Sequence, residues 1–553
     1  MLKLPFAGPR ACVAALALAL AQAAQAQDLA STPAPSPLPS PVHAPVTASP
    51  AAPLAFAVSG FEVRGDSPLP PDAVQALLAP FTGPQVTLAR LQEAAAALEA
   101  ALHARGHRLH HVVLPPQSIG ERVVLEVVPV RLARVEVRGA RHAGEDNVRR
   151  SLPELREGHA PNLHRLAAQT ALANESPVRQ VQVALSESDE PDRVDATVRV
   201  RDQRPWQLAV GLSNHGSDAT GRERLTLVGR HANLGDRDLE LLAAYTTAPA
   251  RAGDVRQMGL SARWPWYDAG GLLAFTATRS DISGDFGAFT SRGAGRVLAL
   301  AWTLPLPTGG QAQHHVSVGI EDRLFEAARI DGQPVAGLRD RRSRPLVVGY
   351  AGRSEAGQSQ SQSLSRWGVE AAANTDTGQG NDLAAYQSEN PRITTSRWRM
   401  LRASAHHQQA VARWTVTARA QAQHSAHALI AGEQFGLGGP TTVRGTRDER
   451  PLAGDGGLLL SLEVAAPPAA GGLQGVAFVD AGWLRNAPPR TAYFPASDRI
   501  ASAGVGVRLR GEGVSLSVDY GRIIVGSRVD AAVNPQAPRA GHDRLYASLT
   551  FSF

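Results

Sequence analysis

The side chains able to make or break bonds are few, and their spacing does not suit catalysis. Histidines occur as adjacent pairs, His110-His111, His314-His315 and His406-His407. Neighbours on a strand point to opposite faces, so such pairs are poor joint metal ligands and read as ordinary surface or interior residues. Cys12 is the sole cysteine and lies in the N-terminal segment, which leaves no thiolate chemistry or disulfide framework for the rest. There is no G-x-S-x-G elbow, no phosphate-binding loop and no H-E-x-x-H helix. Nothing suggests an enzyme, a cofactor or a metal. Asn174-Glu175-Ser176 matches a glycosylation sequon, but Pro177 follows it. Arginine is more informative. Lys3 is the only lysine, and the tripeptide Val-Arg-Gly occurs three times, ending at Gly65, Gly139 and Gly445. The third copy follows the glycine-rich run Glu433-Gln434-Phe435-Gly436-Leu437-Gly438-Gly439. Arg444 is a permanently charged planar donor, and Asp480, in Phe478-Val479-Asp480-Ala481-Gly482, is a natural bidentate acceptor.

The elements that must carry these residues fall into three regions. Lys3 and Arg10, the apolar stretch Ala11 to Ala21, and Ala24-Gln25-Ala26 form the three parts of an export signal over residues 1–26. Residues 27–55 are rich in Pro, Ala and Ser and read as an extended linker. Then comes an internal repeat: Phe61-Glu62-Val63-Arg64-Gly65 returns as Val135-Glu136-Val137-Arg138-Gly139. In the first copy, Phe56 to Arg64 reads as a strand, Asp72 to Leu78 and Thr87 to Arg105 as helices, and His111 to Leu114 and Val123 to Val128 as strands. The second copy places helices near 147–152 and 163–174 and strands near 178–185 and 194–201. The order is β-α-α-β-β twice, an α+β module over residues 56–130 and again over 131–204.

From residue 205 to 553 helices stop and alternating segments of about ten residues take over, the length a tilted transmembrane strand needs. Leu545, Ala547, Leu549, Phe551 and Phe553 alternate with Tyr546, Ser548, Thr550 and Ser552; Val316, Val318 and Ile320 alternate with Ser317, Gly319 and Glu321. The expectation is a transmembrane antiparallel β-barrel of about sixteen strands. After the N-terminus no apolar run is long enough for a membrane helix. The net charge of +6 is spread as scattered arginine with no basic run, so nucleic acid is not an expected partner.

Two such modules before a barrel resemble the two-partner secretion transporters of the haemolysin secretion/activation type, within the Omp85 superfamily, whose modules are called POTRA domains. The resemblance covers roughly Phe56 to Phe553. It is carried by Leu114-Pro115-Pro116-Gln117, by Ala173 to Arg179, by Asn214-His215-Gly216-Ser217, and by Asn233-Leu234-Gly235-Asp236. Most of all it is carried by the run from Glu433 to Gly456. That run resembles the superfamily's inward-folded loop L6, here near 431–457, with Val443, Arg444, Gly445 and Thr446 at its tip and Phe435, Gly436, Gly438 and Gly439 in its lead-in. Phe478, Asp480 and Gly482 resemble the strand motif that receives the tip. The resemblance implies that Arg444 and Asp480 meet in the lumen and pin the loop. Two departures stand out: Thr446 replaces the family's aromatic, and residues 27–55 are too proline-rich for the family's N-terminal plug helix.

What the resemblance implies about function is an outer-membrane pore exporting a large partner exoprotein, of adhesin or haemolysin type, with the POTRA domains in the periplasm recognising it. An extended substrate segment can add to a POTRA sheet edge, and Val112, Leu114, Val181 and Val183 mark the candidate edges. Phe551 and Phe553 read as the C-terminal signal for the barrel assembly machinery, and outer-membrane lipids are the remaining partner. The alternative is an Omp85-type assembly factor that inserts other barrels; such proteins usually carry three or more POTRA modules, and this chain has room for two.

Overall fold

A computed structural model describes residues 55–553, apart from 119, 219, 254, 287, 307–311, 328, 331–332 and 358–360. The expected signal segment and all of the linker except Ala55 lie outside the described residues.

The first module holds β1 (Ala55–Val58), β2 (Gly60–Gly65), α1 (Pro71–Leu78), β3 (Gly83–Thr87), α2 (Leu88–Ala104), β4 (His110–Val113) and β5 (Arg122–Pro129). The second holds β6 (Arg131–Arg138), α3 (Glu145–Arg150), α4 (Leu163–Ala173), β7 (Arg179–Glu187) and β8 (Arg193–Asp202). Leu91, Ala95, Leu98 and Leu102 bury one stripe of α2, and Thr87 Oγ1 caps its start by accepting from Arg90 N at 3.3 Å. In both modules the Val-Arg-Gly strand lies parallel to the last strand, with the third strand on the outer edge: β2-β5-β4 and β6-β8-β7. This explains the repeated glycine. Gly65 and Gly139 sit at φ +87 and +86, and a Cβ there would lie 2.3 Å from Val127 O and 2.6 Å from Val200 O.

One strand departs from expectation. Residues 56–64 are two strands, because Ser59 N and Gly60 N both donate to Glu121 O at 2.7 and 3.3 Å and turn the chain. β1 leaves the main sheet and pairs with β3, a short strand just ahead of α2 that the sequence reading does not include.

The barrel runs through β9 (Trp206–Ser213), β10 (Arg224–Leu234), β11 (Leu239–Thr247), β12 (Arg256–Trp266) and β13 (Gly271–Ser280). A separate hairpin follows, β14 (Ser283–Phe286) and β15 (Phe289–Arg292). The wall resumes with β16 (Gly295–Leu306) and β17 (Ala312–Phe325). After a small ladder of β18 (Arg329–Ile330) and β19 (Gln333–Pro334), β20 (Arg341–Ser343) and β21 (Pro345–Ala356) form one wall strand interrupted at Arg344. Next come β22 (Ser363–Asn374), the short helix α5 (Leu383–Glu389), β23 (Arg399–Val411) and β24 (Trp414–Ser425). A hairpin of β25 (Phe435–Leu437) and β26 (Leu452–Gly454) precedes β27 (Gly456–Ala465), β28 (Leu473–Arg485), β29 (Ser497–Gly511), β30 (Val514–Val525) and β31 (Asp543–Ser552). With β20 and β21 taken together, sixteen antiparallel strands close on themselves. Closure satisfies every strand edge, the condition for crossing hydrocarbon.

The alternation sorts side chains as the sequence predicts: Val318, Ile320, Leu298, Leu300 and Val505 are exposed on the outer face, while their neighbours face the lumen. Outward aromatics gather at the rim nearest the modules, where Trp264, Trp266 and Trp302 stack edge-on at 5.6 and 5.9 Å. The longer loops lie at the opposite rim. The β14–β15 hairpin turns inward from there: Phe289 is buried against Ala244, Val228 and Leu242, and a Cβ on Gly259 would lie 2.3 Å from its ring.

Candidate functional site

The segment between β24 and β27 folds into the barrel as a strap, and each part of it is tied to the wall by charge. At its start, the Glu433 carboxylate accepts from Arg323 Nη1 at 2.6 Å, Ser343 Oγ at 2.6 Å and Arg402 Nη2 at 3.3 Å. At its end, Asp455 accepts from Leu429 N and Ala487 N, both at 2.9 Å, and from Arg392 Nη2 at 2.7 Å. Both carboxylates are fully buried. Over the strap, Tyr386, Ile393 and Trp398 of the α5 loop pack with Leu429 and Ile430.

The tip carries the expected pair. Arg444 donates to Asp480 of β28 through Nε at 2.8 Å, Nη2 at 3.0 Å and its own backbone N at 3.1 Å. Its Nη1 donates to Glu463 of β27 at 3.0 Å, and Asp519 of β30 lies 3.8 Å away. Arg508 of β29 bridges Glu463 and Asp519 in turn. Two guanidiniums, one from the strap and one from β29, therefore meet three carboxylates drawn from β27, β28 and β30. Phe478 is buried beneath, with the Arg444 guanidinium carbon 3.3 Å from its ring centre. Ser461 Oγ donates to the remaining face of Asp480 at 2.7 Å, so the buried carboxylate is saturated.

Backbone contact completes the seat. Gly445 has φ +104, and a Cβ on it would lie 2.9 Å from Gly521 O. Glycine in this Val-Arg-Gly is required for the same reason as in the other two copies, a close approach to another strand's backbone. Val443 is buried among Leu437, Leu459, Ile500 and Ile523. Gly482 faces Leu437, and Phe435 packs against Gly457. Gly436, Gly438 and Gly439 lie at the base of the tip, where Gly439 N donates to Thr446 Oγ1 at 2.8 Å. Thr446 also donates to Asp448 O at 2.9 Å, closing the tip turn. The aromatic contact at Thr446 comes from the wall instead, where Tyr546 OH donates to Thr446 O at 2.7 Å.

The strap is seated unevenly. On the side away from its anchor a cavity of about 550 Å³ separates it from the wall of β17 and β21 to β24. That wall presents small or flexible polar residues, among them Ser317, Gly349, Gly368, Ser404 and Gln421.

At the module edges the placement is mixed. β4 and β7 are both edge strands. Val112 and Val181 nevertheless turn their side chains into the core, and their outward N–H groups are taken. Val112 N donates to Glu99 Oε2 at 2.9 Å, and Val181 N to Asn174 Oδ1 at 2.6 Å. Each long helix thus caps its own sheet edge. Leu114 lies just past β4, half-buried on the module core. On β7 the next outward N–H beyond the cap belongs to Val183.

One joint had no sequence signal. Asp238, in the β10–β11 turn at φ +55, is buried and accepts from Arg179 Nη2 at 2.8 Å, Tyr267 OH at 2.6 Å and Asn147 Nδ2 at 2.9 Å. Burial, and then the facing Asp238 carboxylate, push the Tyr267 hydroxyl well above its ordinary range. Arg179 and Asn233-Leu234-Gly235-Asp236 belong to motifs that carry the family resemblance, but nothing in their sequence says that the two segments meet.

Phe551 pairs with Val210 across the β31–β9 seam and Phe553 exchanges backbone bonds with Leu208 at 2.9 and 3.4 Å; both rings point outward.

Two small modules feeding a closed sixteen-stranded barrel, with a charged strap across its lumen, define an outer-membrane transporter. A family model described as haemolysin secretion/activation protein ShlB/FhaC/HecB matches residues 193–509, and one described as POTRA domain, ShlB-type, matches residues 56–129. The chain belongs to the ShlB/FhaC/HecB haemolysin secretion/activation family. It is similar to the outer membrane transporter CdiB of Escherichia coli, with 24% identity over 442 residues, covering 78% of this chain and 73% of that protein. The solved structure of CdiB from Escherichia coli matches with a TM-score of 0.66 at 20% identity, and CdiB from Acinetobacter baumannii with 0.61 at 14%. In both cases 100% of each chain is covered. The chain is thus a two-partner secretion transporter of the outer membrane, with its POTRA domains in the periplasm, and the family is one of secretion channels acting with a secreted partner exoprotein.

Proposed function

We propose that the protein exports one large exoprotein of adhesin or haemolysin type, recognised by the POTRA edges and passed unfolded through the lumen beside the strap. The observation that carries this reading is the strap itself. It is bonded to β27–β31 through Arg444, Gly445 and Thr446, and faces a 550 Å³ cavity on its other side. An extended segment can pair with β7 beyond its Asn174 cap, from Val183 onward, by backbone hydrogen bonds. The chain then meets a lumen wall of small and amide side chains that offers no deep apolar trap. No nucleotide motif is present, so folding outside the cell supplies the outward bias. Phe551 and Phe553 present the last strand to the barrel assembly machinery during biogenesis.

The test is co-expression with a candidate exoprotein, measuring that partner in the medium for wild type, Arg444→Lys and Arg444→Ala at equal barrel abundance. Removing one partner of a buried ion pair costs about 3–5 kcal/mol, so Arg444→Ala should release the tip. Secretion should fall steeply with Arg444→Ala and less with Arg444→Lys, which keeps charge but loses the bidentate fork. Export independent of the protein, together with loss of other outer-membrane barrels on deletion, would favour the assembly-factor reading instead.

A further inference from the structure

Two arginines face each other on the outside of the barrel, where the strand register puts them side by side. Arg279 of β13 pairs directly with Arg296 of β16. Their strand neighbours on the same face, Phe275 and Leu298, are exposed to the membrane side, and both arginines are exposed as well. Directly opposed residues hold their Cβ atoms about 4.5–5.5 Å apart, and like charges there repel. Among the described residues no carboxylate pairs with either guanidinium.

The position along the strand gives the level in the membrane. On β12 the outward face runs from Trp266 at the module rim through Leu260 to Met258, the residue opposite Arg279, and then Arg256. On β16 it runs from Leu306 to Arg296. Ten residues of tilted strand span about 25 Å, the height of the apolar band of such barrels. The pair therefore stands where the outer leaflet's hydrocarbon gives way to headgroups. The surroundings do not neutralise it. Arg256 already holds Asp281 at 3.3 Å, and Arg342 and Arg344 share the single carboxylate of Asp322 at 3.2 and 2.9 Å. Among the described residues the patch keeps a net positive charge beside an apolar wall: Arg256, Arg279, Arg296, Arg342 and Arg344 stand against Asp281, Asp322 and Glu326, whose N donates to Ala294 O at 3.0 Å.

We infer that the outward face of β12 to β17, at the rim opposite the modules, is a binding site for a phosphate-bearing lipid headgroup of the outer leaflet. A phosphate monoester placed between Arg279 and Arg296 accepts from both planar forks and removes their repulsion. Acyl chains lie along Phe275, Leu298 and Leu300 below. Both features, a dianion and a chain, belong to a phosphorylated lipid and not to free phosphate.

The full-length protein in detergent is incubated with diphosphorylated lipid A, and separately with the same lipid stripped of both phosphates; retained lipid is read by native mass spectrometry. Wild type should hold the phosphorylated form selectively. Arg279→Gln with Arg296→Gln should weaken retention at least about tenfold, the equivalent of one charge-assisted hydrogen bond, with an unchanged folded-barrel band on an unheated gel. Arg413→Gln, at the module rim, should change nothing. Equal retention of the two lipids overturns the proposal, as does equal retention by the folded double variant. Displacement by inorganic phosphate as effective as by the lipid would assign the arginines to free anions and overturn it too. Should the double variant not fold, the wild-type comparison of the two lipids decides alone.

Discussion

The chain joins its parts in two different ways. Where the second POTRA module meets the barrel, Arg179 and Asp238 pair with side-chain exposures of 2% and 5%, and Tyr267 and Asn147 complete the shell. The apolar core of that module continues into Tyr267 and Leu272 of the barrel rim. Where the first module meets the second, Asn162 reaches back to Arg105 O at 2.9 Å and His107 Nε2 at 3.2 Å. The one ion pair across that joint among the described residues, Arg131 with Asp66, leaves 45% and 61% of each side chain exposed. Charge removed from water makes the barrel joint costly to open, since either ion alone would be stranded. Charge left in water makes the module joint cheap to open. The second module is thus locked to the barrel by buried charge, and the first is joined to the second by exposed polar contacts.

Breaking this contrast at its stronger end should have the largest effect. Asp238→Ala leaves Arg179 buried without a counter-ion, at a cost of about 3–5 kcal/mol. Limited proteolysis of the full-length protein should then cut near residues 140–150 and 179, which wild type protects; an unchanged pattern would mean the carboxylate is not what holds the joint. At the weaker end Asn162 both caps α4, accepting from Arg165 N at 3.1 Å, and ties the modules. Asn162→Ala should cost about 1 kcal/mol and widen the distribution of distances between spin labels on the two modules, leaving the barrel's stability alone.

The smallest effect is one of pH. Burial lowers the pKa of His107 and of His110, which also feels His107. Both are held neutral in the folded joint, so the unfolded chain binds protons more readily. Their contribution is complete above the ordinary imidazole range and is lost as pH falls through the lowered folded values. Among the groups facing these rings, Asp66 and Glu154 oppose the lowering, while Arg131, Arg165, His103 and His164 add to it. Mild acidification should loosen hydrogen exchange around 105–110 and 162–165 while leaving Asn147 and Arg179 protected. Equal loosening at both joints would remove the distinction drawn here.

Much of the architecture was legible because it rests on short-range rules. The period-two alternation from Trp206 onward revealed a barrel, since a strand between lipid and lumen must alternate. The stripe Leu88, Leu91, Ala95, Leu98 and Leu102 revealed α2, although Leu88, at the helix's first position, stays exposed; Gly106, at φ +91, marks the stop. Arg444 and Asp480 were recognisable from their motifs, and the structure places them in contact. Strand β3 was hidden, because Gly83 to Thr87 is short and its pairing with β1 is dictated by a turn at Ser59. The edge candidates Val112 and Val181 were visible as strand residues, while the capping of their N–H groups by Glu99 and Asn174 was not.

By itself, then, the sequence determined the number and type of modules and the two faces of the wall strands. These follow from torsion angles and periodicity within a few residues. Only the tertiary structure decided that Arg444 also meets Glu463 and faces Asp519, that Asp238 receives Arg179, and that Arg279 stands against Arg296. Each of those meetings depends on the register between strands or on how two modules dock. A shift of one residue would send the same side chains to the opposite face, and no local pattern encodes that choice.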